Sequence, residues 1–186
     1  MKQGFVKVAS ATPRIRVADP VYNAQVICEQ AKEAAEHGAK IVVFPELCIT
    51  GYTCNDLFLQ ELLLEKAKEA LLTIAEETGQ LETLFLVGLP VDKDGRLYNV
   101  AAVLYRGRIL GMIPKKNIPM YAEFYEGRHF TPGEETVTEY RLGKQVIPFG
   151  SNLLFRCEEL PELILGCELC EDLWVAEPPS TSHAQI

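Results

Sequence analysis

The sequence predicts an α/β (α+β) fold built on a mixed β-sheet with helices on one face. Three observations carry this. The chain opens with two successive strand-then-helix units. Two tight turns, Asp94-Gly95 and Arg106-Gly107, then punctuate apolar runs as β-hairpins do. The run Ile41 to Phe44 is wholly apolar, as in a strand covered on both faces.

Phe5 to Ala9 reads as the first strand. Pro20 to His37 reads as a helix, because Ala24, Ile27, Ala31, Ala34 and Ala35 recur at helical spacing and Gly38 stands where a C-terminal cap belongs. Ile41 to Phe44 is the second strand. Asp56 is placed to cap a second helix, Leu57 to Thr78, which Gly79 stops. Leu84 to Leu89 is the third strand, followed by hairpin strands at Asn99 to Tyr105 and Ile109 to Met112. From Pro114 to Gly133 the chain is polar, aromatic and irregular, and a loop of about 20 residues in a compact domain is usually functional. Short strands are expected at Gln145 to Phe149, Asn152 to Phe155 and Leu163 to Gly166. The tail from Glu177 to Ile186 reads as irregular. Two helices cover only one face of a sheet, so the other face calls for a partner or for more chain.

The 186 residues suit one domain, with 48% hydrophobic and 24% charged residues as in a globular protein. A net charge of -8 and a pI near 5.0 argue against nucleic acid or an anionic membrane surface as partner. No apolar run approaches the roughly 20 residues that cross a bilayer. Met1-Lys2-Gln3-Gly4 is not followed by a signal-peptide core, so a cytoplasmic protein with free thiols is expected. There are six cysteines: Cys28, Cys48, Cys54, Cys157, Cys167 and Cys170.

The chemistry concentrates in three segments. Leu163-Ile164-Leu165 leads into Cys167-Glu168-Leu169-Cys170-Glu171-Asp172, which brings a thiol among acids. By position alone Cys170 is as readily a small buried hydrophobe as a nucleophile. Its acidic neighbours oppose thiolate formation, so a catalytic role requires a cation or a base nearby. Cys167-x-x-Cys170 also matches half of a redox or zinc motif. Zinc would need two further ligands, and no histidine lies near Cys48 or Cys54. Val42 to Glu46 ends an apolar strand on a carboxylate, which is either a salt-bridging group or a general base of raised pKa. Pro114-Lys115-Lys116 supplies the amine. In an extended segment the two lysines point opposite ways, so only one reaches a site, where its ammonium would stabilise an oxyanion. Tyr121, Phe124, Tyr125, Glu126 and Phe130 form either a satellite apolar cluster or a substrate pocket. Arg128 and His129 carry no assignment. Glycine-rich phosphate loops, Gly-x-Ser-x-Gly and His-Glu-x-x-His are absent from the sequence.

Phe44-Pro45-Glu46-Leu47, Pro114-Lys115 and Cys170-Glu171-Asp172, in this order, resemble the nitrilase superfamily of carbon–nitrogen hydrolases. Gly51 to Phe58, Pro119 to Glu126 with Arg128, and Cys170 to Trp174 with Pro178-Pro179-Ser180 resemble the glutaminase domain of glutamine-dependent NAD(+) synthetases. The resemblance runs from the N-terminus to the last residues. It implies a nitrilase-like mixed β-sheet of an α-β-β-α sandwich, shortened on its C-terminal side. Residues 1–186 would be one incomplete N-terminal glutaminase domain without the ATP-dependent synthetase domain, and weakly active or inactive alone. The resemblance implies Glu46 as general base, Lys115 as oxyanion-stabilising lysine and Cys170 as nucleophile. Tyr121 falls at a glutamine contact and Glu126 at a supporting glutamate, with Tyr52 and Phe124 assigned to substrate binding beside them. L-Glutamine is the implied substrate, hydrolysed through a glutamyl thioester without a cofactor. ATP and magnesium are implied only for the synthetase domain, which would use the ammonia to amidate nicotinic acid adenine dinucleotide. A homo-oligomer is expected, since such domains pair through sheet edges and helices. A free-standing amidase for another small amide and a non-catalytic interaction module are the other readings.

Overall fold

In a computed structural model that describes residues 4–185, the chain forms nine strands and three α-helices. Strand β1 (Val8–Ser10) leads to helix α1 (Pro20–Glu36) and strand β2 (Ile41–Val43). Helix α2 (Glu61–Glu77) precedes the long strands β3 (Leu84–Lys93), β4 (Arg96–Tyr105) and β5 (Arg108–Pro114). Strands β6 (Thr138–Leu142), β7 (Gln145–Phe149), β8 (Phe155–Arg156) and β9 (Ile164–Leu165) complete the β structure, and α3 (Pro179–His183) is a short final helix. Residues Met1 to Gln3, from which the absence of a leader was read, lie outside the described residues, as does Ile186.

The sheet has seven strands in the order β1-β2-β3-β4-β5-β7-β6 and is mixed, as expected. Strands β1, β2 and β3 are parallel, because a helix crosses over between each pair, whereas β3, β4 and β5 are antiparallel hairpins. Asp94 and Arg106 both take positive φ at the two predicted turns, each followed by a glycine of positive φ.

Both long helices pack on one face. Ala24, Ile27 and Ala31 of α1 and Ala67, Leu71 and Ile74 of α2 join Val42, Phe85, Val87, Leu89, Val100, Ala102 and Met112 in the main core. Helix α1 starts where Asp19 accepts a hydrogen bond from the backbone N–H of Tyr22 and Pro20 opens the first turn, and it ends at His37 before Gly38 at φ +82. On the opposite face, Leu153, Phe155, Cys167 and Leu169 pack against Ala101, Val103 and Ile113. That cover does not extend to β1 and β2, where Val8 and Val43 remain exposed. Among the described residues no helix is long and apolar enough to cross a membrane.

Four expectations require correction. Asp56 does not cap α2. Asn55–Leu59 forms a separate 3-10 helix and α2 begins after Gln60, so the Asp56 carboxylate instead pairs with Arg128 and His129 across the fold. Strand β6 was not foreseen, because Thr138-Glu139-Tyr140-Arg141-Leu142 buries only Tyr140 and Leu142 on its inner side. The strand expected at Asn152 to Phe155 begins only at Phe155, and that expected at Leu163 to Gly166 is two residues long. These two strands pair with each other rather than with the main sheet. The tail is not wholly irregular, since Pro178 and Pro179 start α3.

Candidate active site

Glu46 stands in a turn just past β2. Leu47 holds φ +53 there, the amides of Thr50 and Gly51 both donate to the Leu47 carbonyl, and the Ile49 amide donates to the Gly88 carbonyl on β3. The turn lies directly on β3. A Cβ on Gly88 would come 2.4 Å from the Leu47 nitrogen and 2.7 Å from the Pro45 carbonyl oxygen, so the approach requires glycine. From behind, the buried Asn23 of α1 donates from Nδ2 to the Ile49 carbonyl at 2.9 Å. The Glu46 backbone is thus held between a helix and a strand while its side chain points toward β4.

Lys115 and Lys116 follow β5 and diverge as an extended segment dictates. Lys115 is fully buried, and its Nζ donates at 2.7 Å to Oε1 of Glu46 and at 2.7 Å to Oε1 of Glu126. Lys116 turns outward to Glu135. The choice between the two lysines therefore falls on Lys115. Glu126 begins a short 3-10 helix, Glu126–Arg128, and is buried. Its Oε1 also accepts from the Tyr52 hydroxyl at 2.8 Å. Asn99 of β4, which sequence reasoning passed over, donates from Nδ2 to Glu46 Oε1 at 2.6 Å and to Glu126 Oε2 at 3.3 Å.

Cys170 opens another 3-10 helix, Cys170–Leu173, at φ +44, a backbone conformation that side chains other than glycine seldom adopt. The residue is exposed. Asp172, buried beneath it, holds the turn. Its carboxylate accepts from the amides of Leu169, Lys116 and Asn117 and from the Asn117 side chain. One carboxylate thereby fixes the thiol-bearing turn to the segment that carries Lys115. Cys167 lies two residues past β9 rather than within a strand, half-buried against the second core. Burial, then the charges of Asp172 and Glu168, push its thiol up to about 12. Cys167 is half-buried whereas Cys170 is exposed, which distinguishes the two members of the Cys-x-x-Cys pair.

Electrostatics follow from two carboxylates sharing one ammonium. Burial raises the Glu46 carboxyl above its usual range and outweighs the attraction of Lys115, and Glu126 raises it further. Burial alone would lower the Lys115 ammonium, but Glu46 and Glu126 together hold it up, so it stays charged. The Cys170 thiol is also raised, first by partial desolvation of the sulfur although the residue as a whole is exposed, and next by Glu46, with Lys115 opposing. These charges identify Glu46, Lys115 and Glu126 as the electrostatic surroundings of Cys170. At neutral pH that thiol is protonated and must lose its proton to a base in order to react.

Tyr121 and Phe124 are placed less deeply. The Tyr121 hydroxyl donates to Glu171 Oε2 at 2.7 Å, its ring meets Phe124 edge-on at 5.7 Å, and more than half of it is exposed. Tyr121 thus reaches the acidic neighbour of Cys170, and neither aromatic residue is hydrogen-bonded to Glu46 or Glu126 among the described residues. A cavity of about 130 Å³ is lined by Tyr52, Phe58, Tyr125, Glu126 and Phe130 among others, and it reaches the site from the Glu126 side. Phe130 belongs to a satellite cluster with Leu47, Cys54, Phe58 and Leu63, so the aromatic loop is part cluster and part pocket wall. A larger cavity of about 340 Å³ lies around Lys93, Arg96, Tyr98 and Phe149. It holds none of the expected site residues. Its cations are already paired, Lys93 with Asp94 and Arg96 with Glu134, so the chemistry belongs with Lys115.

A family model for carbon-nitrogen hydrolase matches residues 7–185. The glutamine-dependent NAD(+) synthetase of Mycobacterium bovis is 39% identical over 183 residues, taking in 98% of this chain and 27% of that protein. The crystal structure of a glutamine-dependent NAD(+) synthetase from Cytophaga hutchinsonii superposes with a TM-score of 0.82 at 29% identity, over 89% of this chain and 28% of the other. An amidase from Nesterenkonia sp., 24% identical with a TM-score of 0.58 over 77% of this chain and 54% of its own, shares the fold. The chain thus spans 27% of the length of the synthetase from Mycobacterium bovis. The nitrilase-like mixed sheet expected from the motifs is the architecture of these neighbours, and the chain belongs to the carbon-nitrogen hydrolase family.

Proposed function

We propose that the chain is a glutaminase unit that releases ammonia from L-glutamine through a thioester on Cys170. Glu46 takes the thiol proton, and the sulfur attacks the side-chain amide carbon. Lys115 offsets the charge that develops on the carbonyl oxygen. The tetrahedral adduct collapses with loss of ammonia, which leaves carrying the proton returned by Glu46. Water, deprotonated by the same carboxylate, then opens the thioester to glutamate and restores the thiol. Tyr121, Phe124 and Tyr52 border the region where the substrate would sit. The sum is glutamine and water to glutamate and ammonia, with no cofactor.

One observation carries this reading. A fully buried ammonium bridges Glu46 and Glu126 at 2.7 Å each, and the Asp172 carboxylate ties the segment that carries it to the turn that holds the Cys170 thiol at positive φ. A buried lysine between two carboxylates beside a strained cysteine is costly as architecture and useful as chemistry. The likeness to glutamine-dependent NAD(+) synthetases favours glutamine over other small amides. In that setting the ammonia would pass to a synthetase domain for ATP- and magnesium-dependent amidation of nicotinic acid adenine dinucleotide. Pairing into a homo-oligomer and a cytoplasmic location belong to the same proposal.

The test is treatment with a diazo-ketone analogue of glutamine, followed by mass mapping of the adduct. Labelling confined to Cys170, with protection by glutamine, is the expected outcome. Equal labelling of several cysteines, or none, overturns it in favour of an interaction module. Protection by other amides but not by glutamine points to a different amidase.

A further inference from the structure

Asn99 lies in the middle of β4, fully buried, on a strand whose neighbouring positions are mostly apolar. Its side-chain Nδ2 donates to Glu46 Oε1 at 2.6 Å and to Glu126 Oε2 at 3.3 Å. Its backbone carbonyl accepts from the Lys115 amide at 2.8 Å. One residue therefore contacts all three charged members of the site. Its side-chain orientation is fixed by chemistry, since the reversed amide would set a carbonyl oxygen against two carboxylates. Its Oδ1 is buried and has no hydrogen-bond partner among the described residues. A buried amide with one end unpaired is a liability to the fold, so the donor end must be what the position serves.

We infer that Asn99 is a positioning residue that fixes which oxygen of Glu46 acts as the base. The inference rests on the reading of Glu46 as the proton acceptor. The donors Asn99 and Lys115 both fall on Oε1 of Glu46. Among the described residues Oε2 of Glu46 receives no hydrogen bond and is the oxygen free to take a proton. Glu126 is occupied on both oxygens, Oε1 by Lys115 and Tyr52 and Oε2 by Asn99. Two chemically identical carboxylates thus acquire different tasks. Glu126 is pinned as a support, and Glu46 keeps one oxygen without a hydrogen bond on the more exposed of the two side chains, 17% against 4%. Asn99 makes this difference with Lys115: the two donors share one oxygen of Glu46 but take different oxygens of Glu126. Its donated bond also favours the ionised form of Glu46, against burial and the charge of Glu126. The charged and titratable groups around Glu46 are Lys115 beyond β5, Glu126 on its 3-10 helix, Tyr52 on the facing turn and Cys170 on its own turn.

The experiment reads the Glu46 carboxyl directly, by carbon-13 NMR of side-chain-labelled glutamate, with Glu46→Gln assigning the resonance. Asn99→Leu, close in shape but without the donor, is expected to move the Glu46 titration midpoint to higher pH. Asn99→Ser, which restores one donor, is expected to bring it partly back. Glutamine hydrolysis should fall in kcat by roughly 10–100-fold, as when a supporting hydrogen bond is removed, with KM little changed and the acid limb of the profile shifted upward. A Glu46 midpoint unchanged in both variants overturns the proposal. So does loss of the fold in both, which would make Asn99 a structural residue only. The NMR midpoint needs no substrate. An unsubstituted chain inert toward glutamine would therefore sink the glutaminase reading while Asn99 was still decided.

Discussion

The Asp172 carboxylate, two residues past the thiol, accepts a 2.7 Å hydrogen bond from the backbone amide of Asn117, two residues past the buried lysine. With the bonds from Lys116 and Leu169 it joins two loops far apart in sequence. Asp172→Ala would leave those buried amides without an acceptor. The expected cost is about 3 kcal/mol, read as a lower urea midpoint. Selective labelling of Cys170 should be lost together with that stability. A midpoint equal to that of the unsubstituted chain would show that the carboxylate is not what joins the loops.

Glu46 has opposite effects on the resting thiol and on the reaction. Its charge raises the Cys170 thiol, second only to burial. Removing that charge in Glu46→Gln lowers the thiol toward its ordinary value of 9.0. Alkylation of Cys170 by iodoacetamide at mildly alkaline pH should then become faster. Hydrolysis should drop by about 10²–10⁴-fold, because the proposed general base is gone. In the unsubstituted chain the acid limb of hydrolysis should lie above the ordinary glutamate value of 4.5, since the base works only when ionised and its carboxyl is raised. Slower alkylation in Glu46→Gln would contradict the charge arrangement.

Glu46, Lys115 and Cys170 stand out in the sequence as candidates because each sits in a short local pattern, with an apolar strand or a proline fixing its neighbourhood. Asn99 and Asp172 were not. Asn99 meets its partners 53 and 27 residues away, and Asp172 reaches back 55 residues. Nothing local marks one polar residue within an apolar strand as the meeting point of two carboxylates. Asp56 misled for the same reason. It stands where a helix cap would, yet Arg128, 72 residues on, offers a charged fork that a backbone amide does not match. The helices and hairpins were read correctly where periodicity or turn chemistry was strong. The two-residue strands β8 and β9 leave too little pattern to detect.

Gly88 tests whether the turn that carries Glu46 must lie directly on β3. Adding a methyl there pushes on the backbone of Leu47 and Pro45, which are held from behind by Asn23 and cannot yield as a flexible side chain would. Gly88→Ala should destabilise the chain by about 3 kcal/mol, at the upper end of ordinary overpacking. Thermal unfolding measures this. A variant as stable as the parent, with Cys170 labelling intact, would show that the turn has room to move.

Lys115 and Lys116 are adjacent and should respond differently to loss of charge. Lys116 is paired with Glu135 at the surface, where such a pair contributes about 0–1 kcal/mol, so Lys116→Ala should unfold nearly as the parent does. Lys115→Met leaves Glu46 and Glu126 facing each other without a counter-charge in a buried site. Removing one partner of a buried ion pair costs about 3–5 kcal/mol. The pH dependence follows from the sign of that repulsion. Without the ammonium, the Glu46 carboxyl, already raised by burial, is easier still to protonate in the folded chain than in the unfolded one, so acid relieves the strain. The deficit of Lys115→Met should be smallest in mild acid and grow as pH rises to neutrality, followed by urea unfolding across that range. A deficit independent of pH would mean that Lys115 contributes packing rather than charge. The bridging ammonium could then no longer carry the functional reading.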